Sequence, residues 1–109
     1  MQLKYGYMGK RLVGKTSDIP PGEMLKVESD GKEILVANEN GNYFAMDDTC
    51  THQGASLSEG TLDGSTVTCP WHGSTWDCKN GKLIAFASEL KDLASYKVVV
   101  ESDNIYVET

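Results

Sequence analysis

Met24-Leu25-Lys26-Val27-Glu28-Ser29-Asp30-Gly31-Lys32-Glu33-Ile34-Leu35-Val36-Ala37-Asn38-Glu39-Asn40-Gly41-Asn42-Tyr43-Phe44-Ala45-Met46 reads as three short β-rich runs separated by two tight turns. The runs are Met24–Val27, Ile34–Ala37 and Tyr43–Met46, and the breaks are Asp30-Gly31 and Asn40-Gly41. Asp-Gly or Asn-Gly between apolar runs is a strong hairpin signal, because a two-residue type I′ loop needs positive φ at both central positions. The same punctuation recurs further along at Asp63-Gly64, Asn80-Gly81 and Ser102-Asp103-Asn104. Between these breaks lie Thr66–Cys69, Thr75–Cys78, Lys82–Ala85, Tyr96–Val100 and Ile105–Val107, and Arg11–Val13 is an earlier candidate. Short strands with a turn roughly every ten residues predict an all-β antiparallel sandwich or barrel. Only Ser88–Ala94 reads as a helical turn. A length of 109 residues suits one domain with a modest core, and no repeat is visible. Trp76, Tyr43, Phe44, Leu83 and Val98 through Val100 read as core.

The chemistry is concentrated in two arms of this scaffold. Cys50-Thr51-His52 is followed, after sixteen residues, by Cys69-Pro70-Trp71-His72. Both histidines of the chain, and two of its three cysteines, lie there. Thiolate with imidazole suits zinc, copper and iron–sulfur centres. Structural zinc arms usually space their ligands by two or more residues, as Cys69 and His72 do. Cys50 and His52 are tight for one ion but suit an arm that serves two metal atoms. A [2Fe–2S] cluster with two cysteines on one iron and two histidines on the other requires that division. A zinc site remains the alternative.

Cys50-Thr51-His52-Gln53-Gly54 and Cys69-Pro70-Trp71-His72-Gly73-Ser74 resemble the two cluster-binding boxes of Rieske proteins. Asp18-Ile19-Pro20-Pro21-Gly22, Ala55-Ser56-Leu57-Ser58-Glu59-Gly60 and Ile105-Tyr106-Val107 look like the framework of small Rieske-type ferredoxins. The resemblance implies a single Rieske-like domain over residues 1–109, with a cluster-binding subdomain at about residues 45–85 whose two loops hold the metal. It implies one [2Fe–2S] cluster per chain. Cys50 and Cys69 would hold the iron that stays ferric, and His52 and His72 the iron that accepts the electron. Neutral imidazoles donate less negative charge than thiolates, which lifts the potential above the roughly −400 mV of all-cysteine plant-type clusters. Respiratory Rieske subunits carry an extra cysteine in each box and a membrane anchor. Here Ala55 and Trp71 stand where those cysteines would be, and no apolar run reaches the roughly 18 residues of a membrane span. The N-terminus lacks an apolar signal segment, and the third cysteine, Cys78, has no partner left for a disulfide. A cytoplasmic, reducing location is expected, with Cys78 a small half-buried side chain rather than a ligand.

Several neighbours of the ligands are candidates for tuning the potential. Gly54 and Gly73 would let backbone amides approach the cluster sulfurs, or are ordinary turn glycines. By the resemblance, the Ser74 hydroxyl would reach a bridging sulfide. Trp76 stands where high-potential members carry a tyrosine that donates to a cysteine sulfur, which leaves that bond in doubt. A potential well below the respiratory class follows. Trp71 is expected over the cluster, limiting water, or as an apolar plug.

The formal charge is −6, which disfavours nucleic acid as a partner. No Lys or Arg lies between Lys32 and Lys79, whereas Glu33, Glu39, Asp47, Asp48, Glu59, Asp63 and Asp77 do. That acidic segment, residues 33–78, would steer a basic redox partner, or would only solvate the loops. The expected role is a one-electron carrier between a reductase and an oxygenase or other acceptor, as in multi-component aromatic-ring dioxygenase systems. An oxygenase in its own right is excluded, because both histidines are already used and no facial triad can form. A zinc-stabilised module or a redox sensor is the alternative.

Overall fold

A computed structural model of the protein describes residues 10–29, 31–50, 54–71, 73–86 and 90–108. Among the described residues ten strands run in chain order: β1 (Lys10–Lys15), β2 (Met24–Ser29), β3 (Lys32–Glu39), β4 (Asn42–Asp47), β5 (Thr61–Asp63), β6 (Thr66–Thr68), β7 (Thr75–Asp77), β8 (Leu83–Ala85), β9 (Ser95–Glu101) and β10 (Asn104–Glu108). Single turns of 3₁₀ helix occupy Thr16–Asp18 and Leu57–Glu59. No helix among the described residues is long and apolar enough to cross a membrane.

Six strands form a barrel-like antiparallel sheet in the order β1-β10-β9-β4-β3-β2. The other four form a second sheet, β5-β6-β7-β8, inserted in the chain between β4 and β9. The turns behave as their sequences demand. Glu39 pairs with Asn42 across a two-residue loop in which Asn40 has φ 55° and Gly41 φ 96°. Positive φ at both positions is the type I′ geometry, and its twist matches that of the strands it joins.

β3 explains how the two sheets share their packing. Residues 34–38 of β3 are all buried. Alternate side chains of a strand point to opposite faces, so β3 lies between two cores. Ile34 and Val36 join Ile19, Ala45, Ile105 and Val107 inside the barrel. Leu35 and Ala37 face the other way, with Met46, into a cluster that holds Cys50, Leu57, Val67, Cys69, Trp76 and Cys78. A run that is apolar on both faces belongs to a central strand.

The structure departs from the sequence expectations at four points. β5 has one apolar residue, Leu62, and its pairing with Val67 is what makes it a strand. The helical turn expected at Ser88–Ala94 is absent from residues 90–94, the part of it that lies within the described residues. The backbone donors there are committed elsewhere: Leu93 N–H binds Gly81 O at 2.8 Å, and Ala94 N–H binds the Asp47 carboxylate at 3.2 Å. Val100, expected in the core, lies next to the β9–β10 turn and is 44% exposed. Cys78 follows β7 rather than ending it, and it is fully buried.

Candidate metal centre

Each cysteine of the two arms stands just after a strand. Cys50 is the third residue after β4, and Cys69 comes directly after β6. Both are buried in the same core cluster.

The two loops close in the same way. Cys50 N–H binds Ala55 O at 2.8 Å, and Gly54 N–H returns to Cys50 O at 2.9 Å. Cys69 N–H binds Ser74 O at 2.8 Å, and Gly73 N–H returns to Cys69 O at 3.3 Å. Gly54 has φ 76° and Gly73 φ 74°. In each loop the fifth residue carries the left-handed turn that brings the chain back, and glycine takes that conformation without steric cost. Among the described residues, chain neighbours aside, no atom lies within 4 Å of where a Cβ would sit on either glycine. These glycines supply a backbone angle, and their own amides serve the cysteine carbonyls.

The next residue in each loop turns inward. Ala55 is 1% exposed and Ser74 is fully buried. Ser74 Oγ lies 3.7 Å from Cys50 Sγ, so the second arm reaches the first at the sulfur. Trp76, also fully buried, donates its indole N–H to Ser74 Oγ at 3.0 Å. The Trp76 donor is thus committed to the serine. Trp71 is 59% exposed, and Leu57, Leu93 and Trp76 fill the apolar core around the two cysteines. His52 and His72 lie outside the described residues.

Asp48 is a structural residue of the first loop whose role the sequence reading missed. It is fully buried, and its carboxylate accepts the Ser58 N–H at 2.8 Å and the Ser56 hydroxyl. Its backbone accepts the Leu57 N–H at 2.7 Å. A buried carboxylate must be met by donors, and these donors pin the chain that returns from the first loop. The available signal was Ser56-Leu57-Ser58, a polar pair flanking a core leucine.

Asp47 is likewise engaged. It accepts the Tyr96 hydroxyl as well as the Ala94 amide, joining β4 to β9 below the first loop. Two acids of the acidic segment are therefore structural.

Burial and the Asp47 carboxylate push the Tyr96 hydroxyl up to about 12. The protonated phenol is the favoured form in the fold. Its contribution is complete below the ordinary value of 10.0 and disappears as pH rises through about 12. Tyr96→Phe is expected to flatten the loss of stability between those pH values, read by denaturant unfolding at stepped alkaline pH. An unchanged slope would remove Tyr96 from the alkaline transition. Burial, with Asp77 and Glu39 beside it, pushes the Cys78 thiol up to about 11, so it stays neutral and unreactive near neutrality.

The donor set fits an iron–sulfur cluster. Two buried thiols lie in one apolar cluster, in paired loops, with a hydroxyl held against one sulfur. Cysteine thiolates are the usual protein ligands of such clusters, and hydrogen bonds to sulfur tune them.

Comparison with known proteins agrees with this geometry. Residues 9–97 match the Rieske [2Fe-2S] domain. The ferredoxin component of the p-cumate 2,3-dioxygenase system of Pseudomonas putida is 41% identical over 95 residues, covering 85% of this chain and 80% of that protein. The ferredoxin component of biphenyl 2,3-dioxygenase from Rhodococcus jostii is 37% identical over 93 residues, covering 85% and 86%. A chain in the complex of reduced oxygenase and oxidized ferredoxin of carbazole 1,9a-dioxygenase superposes with a TM-score of 0.85 at 34% identity, covering 92% of this chain and 93% of that one. The chain belongs to the Rieske [2Fe-2S] domain family, and its cofactor is a Rieske-type [2Fe–2S] cluster.

Proposed function

We propose that this protein is a one-electron carrier that takes its electron from a reductase and passes it to an oxygenase. Cys50 and Cys69 would hold one iron, and His52 and His72 the other. The observation that carries the reading is the pair of matched loops that deliver Cys50 and Cys69 into one buried cluster. When bound, the cluster supplies a one-electron couple with no bond made or broken. The added electron belongs on the histidine-held iron, because imidazoles neutralise less of its charge than thiolates do.

The chain's own residues hold this couple in place. Asp48 and the two glycines fix the loops, so little rearrangement accompanies electron transfer. The similarity to ferredoxin components of dioxygenase systems supports the oxygenase as acceptor. The free, buried Cys78 suits a reducing compartment, which we take to be the cytoplasm. Glu33, Glu59 and Asp63 are the exposed acids of residues 33–78, and they would steer a basic partner surface.

The test is reconstitution. Cluster-loaded protein, a flavoprotein reductase and the terminal oxygenase of an aromatic-ring dioxygenase are mixed with substrate. Product formation should depend on the loaded protein and should slow as ionic strength rises. A rate indifferent to the carrier would refute the function. A rate indifferent to salt would refute only the steering.

A further inference from the structure

The barrel core is complete without the second sheet. Ile19, Ile34, Val36, Ala45, Ile105 and Val107, and the half-buried side chains packed on them, all lie outside residues 48–94. The second sheet is different. Among the described residues its strands pair only with one another, in the order β5-β6-β7-β8. Its apolar side chains find their core against the barrel, where Val67, Trp76 and Cys78 join Leu35 and Met46. Backbone bonds tie the sheet down at one end. Gly81, in the turn from β7 to β8, accepts the Leu93 N–H at 2.8 Å, and the Asp92 carboxylate accepts the Leu83 N–H at 3.0 Å. The next residue, Ala94, is bonded to Asp47 of the barrel through both its N–H and its carbonyl.

The other end of the sheet is the loop from β6 to β7, which begins at Cys69. Cys50 instead follows β4 of the barrel, and Asp48 pins its loop there. A cluster held by both cysteines therefore joins two bodies, at the end of the sheet opposite the backbone tether. This step rests on the proposed reading of Cys50 and Cys69 as ligands. It also raises a question of access, because Cys50 is 3% and Cys69 4% exposed. Insertion is ligand exchange with no change of oxidation state. Each bond from iron to a cysteine of this chain forms as a bond to a donor thiolate breaks, and the cysteine proton passes to the departing thiolate. A donor that must reach both sulfurs cannot do so while the sheet lies on the barrel.

We propose that the β5–β8 sheet is a hinged cover, which the cluster clips to the barrel and which swings open as one body about residues 92–94 in the cluster-free chain to admit the cluster. The physical cause is linkage. A metal group bound only when both ligand loops are together stabilises that arrangement by mass action. Without it, the part of the fold with the fewest bonds of its own opens first, and the barrel keeps its separate core.

Cys78 reports the motion. It is fully buried, lies in neither ligand loop, and is fixed to the sheet by its N–H on Ser65 O at 2.9 Å. Wild-type protein, loaded or stripped of iron by a chelator under argon, is treated with iodoacetamide at one pH. Alkylation of each cysteine is followed by peptide mass spectrometry, and backbone hydrogen exchange is measured on matched samples. Stripping should speed Cys78 alkylation at least about 100-fold, the protection that a ligand gives at 100 times its dissociation constant. Exchange should rise by a similar factor in residues 61–68 and 75–85 and hold steady in 32–39 and 95–108. Reloading with iron and sulfide should restore both.

Two results would overturn the hinge. Alkylation of Cys50 and Cys69 with Cys78 still protected would mean that the loops open alone. Exchange rising equally in 32–39 and 95–108 would mean that the cluster holds the whole fold. Failure of the ligand reading has its own signature: Cys50 and Cys69 would alkylate in loaded protein whose cluster spectrum persists, and the clip would fall with it.

Discussion

Cys50→Ala and Cys69→Ala are each expected to purify without colour, with iron below about a hundredth of the wild-type affinity. Changes to groups that only support metal ligands already cost about 10–100-fold in binding, so loss of a ligand costs at least the upper figure. The comparison that gives the result meaning is Cys78→Ser. All three cysteines are buried in one cluster, so burial cannot distinguish them. What separates Cys78 is its place. Its N–H binds Ser65 O at 2.9 Å in the turn after β7, and it lies in neither paired loop. Cys78→Ser should therefore lose some stability and keep its iron. Iron analysis of the three variants checks this, and a colourless Cys78→Ser would reassign the ligands.

Gly60→Ala should be among the most damaging small substitutions in the fold. A Cβ on Gly60 would sit 1.9 Å from Thr68 O and 3.2 Å from Leu57 O, both backbone atoms. Neither can rotate away. Thr68 is the last residue of β6 and precedes Cys69, so any retreat of its carbonyl moves a cysteine of the site. Overpacking against rigid backbone falls among the severe mechanisms, with an expected loss of at least about 3 kcal/mol. For a domain of this size that lowers Tm by at least about 12 °C. Gly22→Ala is the contrast. Gly22 has φ 86° but nothing within 4 Å, so its cost is only the left-handed strain, about 1 kcal/mol. Thermal unfolding of the two variants should rank them in that order, and an equal loss would show that β5 and β6 slide apart freely.

These two results bear on parts of the molecule that the sequence disclosed unequally. The hairpins were legible because a turn of two residues is local chemistry. Asn40-Gly41 asks for positive φ twice, and both residues have it. The cysteines of the site were legible because thiols and imidazoles were concentrated at a spacing few other uses explain. What stayed hidden is tertiary. β5 exists because Leu62 finds Val67, which nothing in Thr61-Leu62-Asp63 announces. Asp48 resembled the exposed acids around it until the fold buried it against Ser56 and Ser58. The indole of Trp76 was known as a donor, but only the geometry names Ser74 as its acceptor. In each case the deciding term was a partner distant in sequence or a side-chain direction, and composition carries neither.

The alkaline behaviour follows the same division. Tyr96 and Asp47 are forty-nine residues apart in sequence, and their contact ties the end of β4 to β9. The first cysteine loop begins at that end. Loss of this tie as pH rises through about 12 would loosen both the start of the first loop and the face of the barrel core against which Tyr96 packs.

The central claim is a cluster held by Cys50 and Cys69 on one iron and His52 and His72 on the other. The most direct test is the absorption and EPR spectrum of the protein purified in air and then reduced with dithionite. The expected result is a red-brown oxidised form with two irons and two sulfides per chain, and a rhombic reduced signal whose average g value lies below that of all-cysteine clusters. A colourless, EPR-silent protein with stoichiometric zinc would contradict the claim, and the electron-carrier function would fall with it.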